Sequence, residues 1–371
     1  MHIEKIHLRN YRNYETLTLD FSSKINVFIG ENAQGKTNLL EAIYFMAIGK
    51  SFRTSKDGDL IEIEKEGSFV KLLLLKNNGR EKRIEIGLDR LKNKKCKING
   101  VPLDRVSELL GTLNVVIFSP EDLQIIKQGP SQRRDFIDGD LSQITPKYHH
   151  ILGQYQKILK QRNQALKIKQ FRSVDLDPWN AQLVQYGTEI ILYRREFIKG
   201  LSILTRLMHR KITREKENLK LIYESSIPIE KEENASDITK RFLKNLRELE
   251  EEEVKRGVTL LGPHRDDLEF EINGKNVKKF GSQGQQRTTV LSLKMAELEL
   301  MKKETGEYPV LLLDDVMSEL DENRQQDLLQ SLKNIQTFIT STSLESMGNI
   351  EEMNLYEVRE GKIKILKKSV S

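Results

Sequence analysis

The 371-residue chain carries 61 Lys and Arg against 55 Asp and Glu, a net charge of +6, with 37% hydrophobic and 31% charged residues. That length allows one large domain or two, and the mild basicity suits a polyanionic partner without requiring one. One cysteine, Cys96, excludes an intramolecular disulfide framework and a thiolate metal cluster. No apolar segment reaches bilayer length and the opening Met-His-Ile-Glu-Lys does not read as a signal peptide, so the expectation is a reduced, cytoplasmic protein with no membrane partner.

Residues 2–9 alternate, with Ile3, Ile6 and Leu8 on one face, and Leu17, Leu19 and Phe21 alternate again; both stretches predict strands. The short β-branched run Ile25–Ile29 predicts a buried strand, and 38–46 carries apolar residues at helical spacing. Between them stands Gly30-Glu31-Asn32-Ala33-Gln34-Gly35-Lys36-Thr37, in the strand–loop–helix setting that a phosphate-binding loop requires. Gly30 and Gly35 let the backbone wrap an anion, and the N–H groups at the helix start point at the β-phosphate. Lys36 then reaches the β and γ oxygens, and Thr37 sits on Mg²⁺. These eight residues are the candidate ATP contacts. Arg53, in the basic turn after the helix, either reaches a phosphate or lies in solvent.

Residues 69–75 and 81–88 flank Asn77-Asn78-Gly79 as a hairpin. Lys92, Lys94, Lys95 and Lys97 cluster about a third strand, where they suit DNA phosphates or the protection of a sheet edge. Residues 115–118 read as another strand, after which the composition changes. Two long helices are expected between Pro146 and about residue 212, parted by 173–178. In the second, Leu183, Ile190, Phe197 and Leu204 recur every seven residues beside Tyr186, Tyr193 and Leu207. That seam predicts a projecting arm of about 45 Å, the competing reading being a buried bundle helix with the same stripe. Residues 229–255, Glu250–Glu253 above all, read as a solvated helix face or linker. Alternation resumes at Val258 and predicts a strand over 268–272, with a tight turn at Asn273-Gly274.

Gly281-Ser282-Gln283-Gly284-Gln285 then opens a long amphipathic helix, and 310–313 form a four-residue apolar run ending in Asp314-Asp315. Such a run reads as a central parallel strand. Asp314 would hold Mg²⁺, and Asp315, expected on the opposite side of the strand end, would orient or deprotonate the water that attacks the γ-phosphate. Lys36 and Asp315 are the candidate catalytic residues; two solvated carboxylates are the plainer alternative. Ser282, Gly284 and Gln285 form a second candidate anion site. One nucleotide has no need of two distant phosphate-binding helix starts, but two facing subunits do. ATP would then lie between Lys36 of one copy and Ser282 of another in a C2 dimer. The competing reading is that Ser282 merely caps its helix.

With these stretches go Leu8-Arg-Asn-Tyr-Arg-Asn-Tyr14, Phe118-Ser-Pro-Glu-Asp-Leu123, Arg133-Arg-Asp-Phe-Ile-Asp138, Gly262-Pro-His-Arg-Asp-Asp267, Ser282-Gln-Gly-Gln-Gln-Arg287 and Leu313-Asp-Asp-Val-Met-Ser-Glu-Leu-Asp321. In this order they resemble the RecF family of bacterial recombination mediators, relatives of SMC proteins and ABC ATPases, over the whole chain. The resemblance implies an α/β, ABC/SMC-type P-loop ATPase head, with a mostly helical second domain carrying a short helical arm. The expected division is 1–118 and 256–371 for the head and 119–255 for the second domain. It also implies an ATP-dependent homodimer that binds gapped, duplex or single-stranded DNA and hydrolyses ATP slowly, as a DNA-stimulated switch. Such proteins act with RecR and RecO to load RecA at gaps in repair, replication and the SOS response. Ser318-Glu-Leu-Asp321 looks like the D-loop.

Three positions depart from the wider ABC pattern. Asp315 replaces the usual glutamate, Thr340–Thr342 stand near the switch histidine, and Ser119–Asp122 stand in for the Q-loop. All three point to slow turnover, suited to a timed clamp. A small-molecule P-loop kinase would need neither the Ser282 motif nor the long intervening helices, and an ABC transporter subunit would normally carry the switch histidine. Nothing resembles a base-reading motif, and aromatic residues make up only 6% of the chain, so DNA contact through the backbone is expected.

Overall fold

The alternating stretches at the N-terminus become two antiparallel strands, β1 (His2–Tyr11) and β2 (Tyr14–Asp20), each burying one face. β3 (Ile25–Ile29) is almost wholly buried and leads into α1 (Lys36–Ile48). The hairpin expected around Asn77-Asn78-Gly79 is β4 (Gly67–Leu75) with β5 (Glu81–Asp89), followed by β6 (Lys95–Ile98), β7 (Val101–Pro102) and β8 (Val115–Phe118). A computed structural model describes residues 1–91, 94–170, 172, 174–230, 233–319, 322–332, 334–343 and 353–368. Lys92 of the lysine cluster, Ser173 of the inter-helix segment, and Leu320 and Asp321 of the expected D-loop lie outside the described residues.

The chain forms two compact units, Met1–Asp122 with Glu297–Ser371, and Leu123–Ala296. The second begins with α2 (Gln124–Lys127), α3 (Pro130–Ile144), α4 (Pro146–Lys169) and α5 (Asp177–Ile212). β9 (Leu219–Glu224), α6 (Ala235–Glu248), α7 (Glu250–Arg256), β10 (Asp267–Ile272), β11 (Lys275–Asn276) and α8 (Val277–Phe280) follow, and α9 (Gln283–Thr305) carries the chain back to the first unit. The expected return to the head at residue 256 thus differs from the observed division, which falls at 296/297. The reason is strand pairing: β10 pairs with β9 from Asp267↔Glu224 to Ile272↔Leu219, so the strand expected over 268–272 belongs to a small sheet of the second unit.

Two readings left open are decided by packing inside this unit. The α5 seam is covered by α4, α6 and β9, with Leu183, Ile190 and Phe197 buried, so this stretch is a bundle helix and not the expected projecting arm. Its last turns keep Leu201, Thr205 and His209 buried and leave Ile203 and Leu207 half exposed on the other face. The acidic stretch 229–255 is not a linker: α6 buries Ile238, Phe242 and Leu246. Glu253 is fully buried against Arg162 at 2.7 Å and accepts the Leu260 N–H at 2.7 Å.

Two of the motif segments hold each other in this unit. Arg133 clamps Asp267 with two bonds of 2.6 and 2.9 Å, and Arg134 donates to the Asp266 carbonyl at 2.8 Å. Arg194 of α5 holds the Asp138 carboxylate and donates to the Pro263 carbonyl at 2.6 Å. Tyr223 and the Ser226 N–H both donate to the Asp266 carboxylate. His264 is buried and its pKa is pushed down to about 4 by desolvation. Its Nε2–H therefore donates to the Thr259 carbonyl at 3.2 Å, and Nδ1 accepts from the Tyr155 hydroxyl at 2.7 Å. Gly262 cannot be replaced here, because at φ +129° an added Cβ would stand 2.4 Å from the Tyr155 oxygen.

The return to the first unit supplies β12 (Val310–Asp314), α10 (Glu322–Ser331), β13 (Thr337–Ser341), β14 (Met353–Arg359) and β15 (Lys362–Lys367). Among the described residues, the first unit therefore has two sheets. One is antiparallel, in the order β2-β1-β4-β5-β6-β7; the other runs β15-β14-β3-β13-β12-β8, parallel except at β15. Leu39, Leu40, Ile43, Phe45 and Met46 of α1 share one core with residues of both sheets, so α1 is buried nearly all round. A helix so placed starts at the C-terminal ends of the parallel strands, where open α/β sheets bind ligands.

Candidate nucleotide site

Register sets this site. Leu313 and Asp314 of β12 pair with Ile339 and Thr340 of β13, and Thr340 and Ser341 pair with Phe28 and Ile29 of β3. The three strands end side by side, which puts Asp314 and Thr340 next to the loop that leaves β3. Gly35 caps α1 at φ +116°, and an added Cβ would lie 2.6 Å from the Asn13 amide. At Gly30 a Cβ would lie 2.3 Å from the Val358 carbonyl oxygen. The glycines are therefore needed both for backbone conformation and for close approach. No side chain caps the first turn of α1, whose N–H groups are the usual anion donors.

The loop is braced from behind by residues that sequence reasoning quoted only as a family mark. Asn13 Nδ2 donates to the Gln34 carbonyl at 2.9 Å, and the Tyr14 hydroxyl donates to the Gly35 carbonyl at 3.0 Å. Gln34 turns its side chain outward to accept the Glu360 N–H at 2.6 Å. Arg12 grips the fully buried Glu41 of α1 with bonds of 2.8 and 2.6 Å. An alternating strand gave no reason to single out the polar corner Arg12-Asn13-Tyr14 before the loop's position was known.

Lys36 Nζ donates to the carbonyls of Gly30 and Glu31, at 2.5 and 2.8 Å. An ammonium carries three hydrogens, so one is left for an incoming oxygen. Burial pulls the Lys36 pKa below its ordinary value, while Asp315 and Asp314 act against that. Asp314 is buried, and its Oδ1 accepts from the hydroxyls of Thr37 at 2.9 Å and Thr340 at 2.8 Å. Burial raises the Asp314 pKa, and these two hydroxyls partly offset it.

Asp315 corrects the expectation that it faces the other side of the strand end. Its φ of +53° breaks the strand alternation, its N–H donates to Thr340 Oγ1 at 3.0 Å, and its side chain lines the same pocket as Asp314. Its Oδ1 is buried without a hydrogen-bond partner, an acceptor left over for something in the pocket. That pocket has a volume of about 360 Å³, and Asn32, Ala33, Lys36, Thr37, Arg53, Asp314 and Asp315 are among its walls. Arg53, an exposed loop residue, stands at its rim and donates to Asn38 Oδ1 at 2.7 Å. Thr37 and Asp314 present hard oxygen donors 2.9 Å apart. That donor set fits Mg²⁺, which takes one or two protein oxygens and completes its shell with phosphate and water.

Ser282, Gly284 and Gln285 lie at the start of α9 in the second unit. Ser282 Oγ accepts the Gln285 N–H at 3.2 Å and Gln285 Oε1 accepts the Ser282 N–H at 2.9 Å, a reciprocal capping box. The capping reading is thus realised. It leaves the anion reading intact, because the hydroxyl used as acceptor still has its hydrogen to donate. Ser282, Gln283 and Gly284 are exposed, and an added Cβ at Gly284 would meet only Ser282 Oγ, at 3.8 Å.

Comparison with known proteins adds three findings. The sequence model of the RecF/RecN/SMC N terminal domain matches residues 2–364. The DNA replication and repair protein RecF of Alkaliphilus oremlandii (strain OhILAs) is 49% identical over 365 residues, covering 98% of this chain and 100% of that one. The same-named protein of Lysinibacillus sphaericus (strain C3-41) is 47% identical over 370 residues, covering 98% and 99%. Among solved structures, that of the recombination mediator protein RecF with ATP in the RecFOR pathway superposes with a TM-score of 0.92 at 38% identity, covering 99% of this chain and 98% of that one. An Smc head domain from Pyrococcus furiosus, bound to the C-terminal domain of ScpA, matches at 0.59 and 20% identity over 99% and 96%; at that identity the likeness concerns the fold alone. Among the described residues, no helix is long and apolar enough to cross a membrane.

Proposed function

The chain belongs to the RecF family, within the RecF/RecN/SMC group of ATPase heads, and from that membership we propose that it is an ATP-switched recombination mediator acting on DNA. The observation that carries this reading is the meeting of Lys36, Thr37, Asp314 and Asp315 around one pocket at the ends of three parallel strands. In it, ATP sits with its phosphates on the loop 30–37. The remaining Lys36 hydrogen goes to a β or γ oxygen, and Thr37 and Asp314 would hold Mg²⁺, which when bound would neutralise charge on the phosphates. Asp315, with its unpartnered carboxylate oxygen, orients the attacking water and takes its proton.

The exposed helix start at Ser282 and Gly284, with Gln285 beside it, supports the second half of the reading. In a two-fold dimer it meets the triphosphate held by the partner's loop, so ATP joins two copies and hydrolysis parts them. A short Asp315 and a threonine at 340 favour slow hydrolysis, and slow hydrolysis suits a clamp that must persist on DNA. DNA is bound through its backbone, at gapped, duplex or single-stranded sites. RecR and RecO are the protein partners and RecA loading is the outcome, in cytoplasmic repair, replication and the SOS response. The solved relatives, described as recombination mediators of the RecFOR pathway, support the choice of RecR and RecO as partners.

The test is retention of the purified chain on gapped DNA with and without Mg²⁺-ATP over a salt series. Retention should require ATP, fall steeply with salt, and last longer for Asp315→Asn. Retention independent of ATP, or equal lifetimes for Asp315→Asn and the parent, would remove the switch.

A further inference from the structure

The start of α9 is tied to the interior of the second unit by a run of hydrogen bonds that the nucleotide chemistry does not use. Gln285 Nε2 donates to Glu217 Oε1 at 2.8 Å, and Glu217 Oε2 lies 3.0 Å from His209 Nε2. His209 Nδ1 lies 3.0 Å from Ser292 Oγ, and Ser292 donates its hydrogen to the Thr288 carbonyl at 2.7 Å. His209 is completely buried in the last turn of α5. Glu217 precedes β9 and is steadied by reciprocal bonds of 3.0 Å between Asn218 and Asn273.

The Glu217 carboxylate can only accept, so His209 Nε2 carries a hydrogen and donates it to Glu217 Oε2, whichever way the Ser292 hydroxyl is shared between the Thr288 carbonyl and Nδ1. The pair sits at the C-terminal end of α5. The Gln285 amide cannot flip. Reversed, its NH₂ would face the Ser282 N–H and its carbonyl would face Glu217. In the observed orientation one amide hydrogen goes to Glu217 and the other is left over, beside the spare hydroxyl hydrogen of Ser282.

We propose that His209 and Glu217 form a strut that sets the Gln285 amide, and with it Ser282, for the partner copy's triphosphate. This rests on the reading that the α9 start meets that triphosphate. Neither His209 nor Glu217 would touch the nucleotide, so both are positioning residues. The strut also gives the last turn of α5 a direct hold on the element that senses ATP.

The test compares the full-length parent chain with Glu217→Gln, His209→Leu, His209→Gln and the control Ser282→Arg. The readouts are sedimentation velocity with Mg²⁺ and a non-hydrolysable ATP analogue, affinity of the monomer for the same analogue, and the melting midpoint. Glu217→Gln and His209→Leu should weaken the ATP-dependent dimer roughly tenfold or more while monomer affinity is kept. His209→Gln keeps one donor toward Glu217 and should recover part of the loss, which a merely structural histidine would not show. If His209→Leu melts early, Glu217→Gln decides. Dimerisation surviving Ser282→Arg would overturn the underlying reading. Dimerisation lost in Ser282→Arg but unchanged in Glu217→Gln and His209→Leu would overturn the strut and leave that reading standing. A His209 ring whose Nε2 carries no hydrogen, read by nitrogen NMR, would also overturn the strut.

Discussion

Asp314 shows how one residue is set against the stability of the fold it serves. Its folded pKa lies above the unfolded value, chiefly through burial. The folded protein then holds that proton more tightly than the unfolded chain does, so ionisation at neutral pH opposes folding. Asp314→Asn should therefore raise the melting midpoint, because the amide oxygen still accepts from Thr37 and Thr340 without a buried charge. It should also abolish Mg²⁺-dependent nucleotide binding. A midpoint that falls, or metal dependence that persists, would contradict this placement of the metal oxygen. His264 works with the opposite sign to a surface histidine. Its pKa is lowered to about 4, so between the unfolded value of 6.5 and 4 the unfolded chain binds the extra proton and stability is lost as pH falls. The loss should reach roughly 3 kcal/mol at most across that window, and His264→Gln should flatten it in melting curves taken from pH 7 to 4.

At the scale of elements, local periodicity decided what could be read. The strand–loop–helix around Lys36 and the buried strand before Asp314 were legible because hydrophobic spacing is a property of neighbours along the chain. Partners far away in sequence were not. Glu253 sits in a run of four glutamates and reads as solvated, yet its carboxylate meets Arg162, 91 residues earlier. The direction of Asp315 escaped for another reason: a positive φ reverses the alternation that strand reasoning assumes. The seam on α5 was visible, but whether it faced solvent or its own unit depended on α4, α6 and β9 folding over it. The buried pair yields a prediction. Glu253→Ala leaves Arg162 charged in the interior with only Asn180 and Thr259 as acceptors. Unfolding in denaturant should show a loss of about 3–5 kcal/mol. A loss below 1 kcal/mol would mean that water or another carboxylate replaces Glu253.

For the whole molecule, the proposed account gives the two units complementary halves of one chemical task. The first unit carries Lys36, Thr37, Asp314 and Asp315; the second carries the helix start at Ser282 and the polar hub of Asp138, Arg194 and Asp266 that steadies the helices around it. The proposed account joins the halves of two different copies through ATP. It is tested most directly by sedimentation velocity of Lys36→Met, Ser282→Arg and their equimolar mixture, each with Mg²⁺ and a non-hydrolysable ATP analogue. Each variant alone should remain a monomer. The mixture should form dimers, because pairing Lys36 of one variant with Ser282 of the other rebuilds one intact site. A mixture that stays monomeric while the parent chain dimerises, or a variant that dimerises by itself, would contradict the shared site.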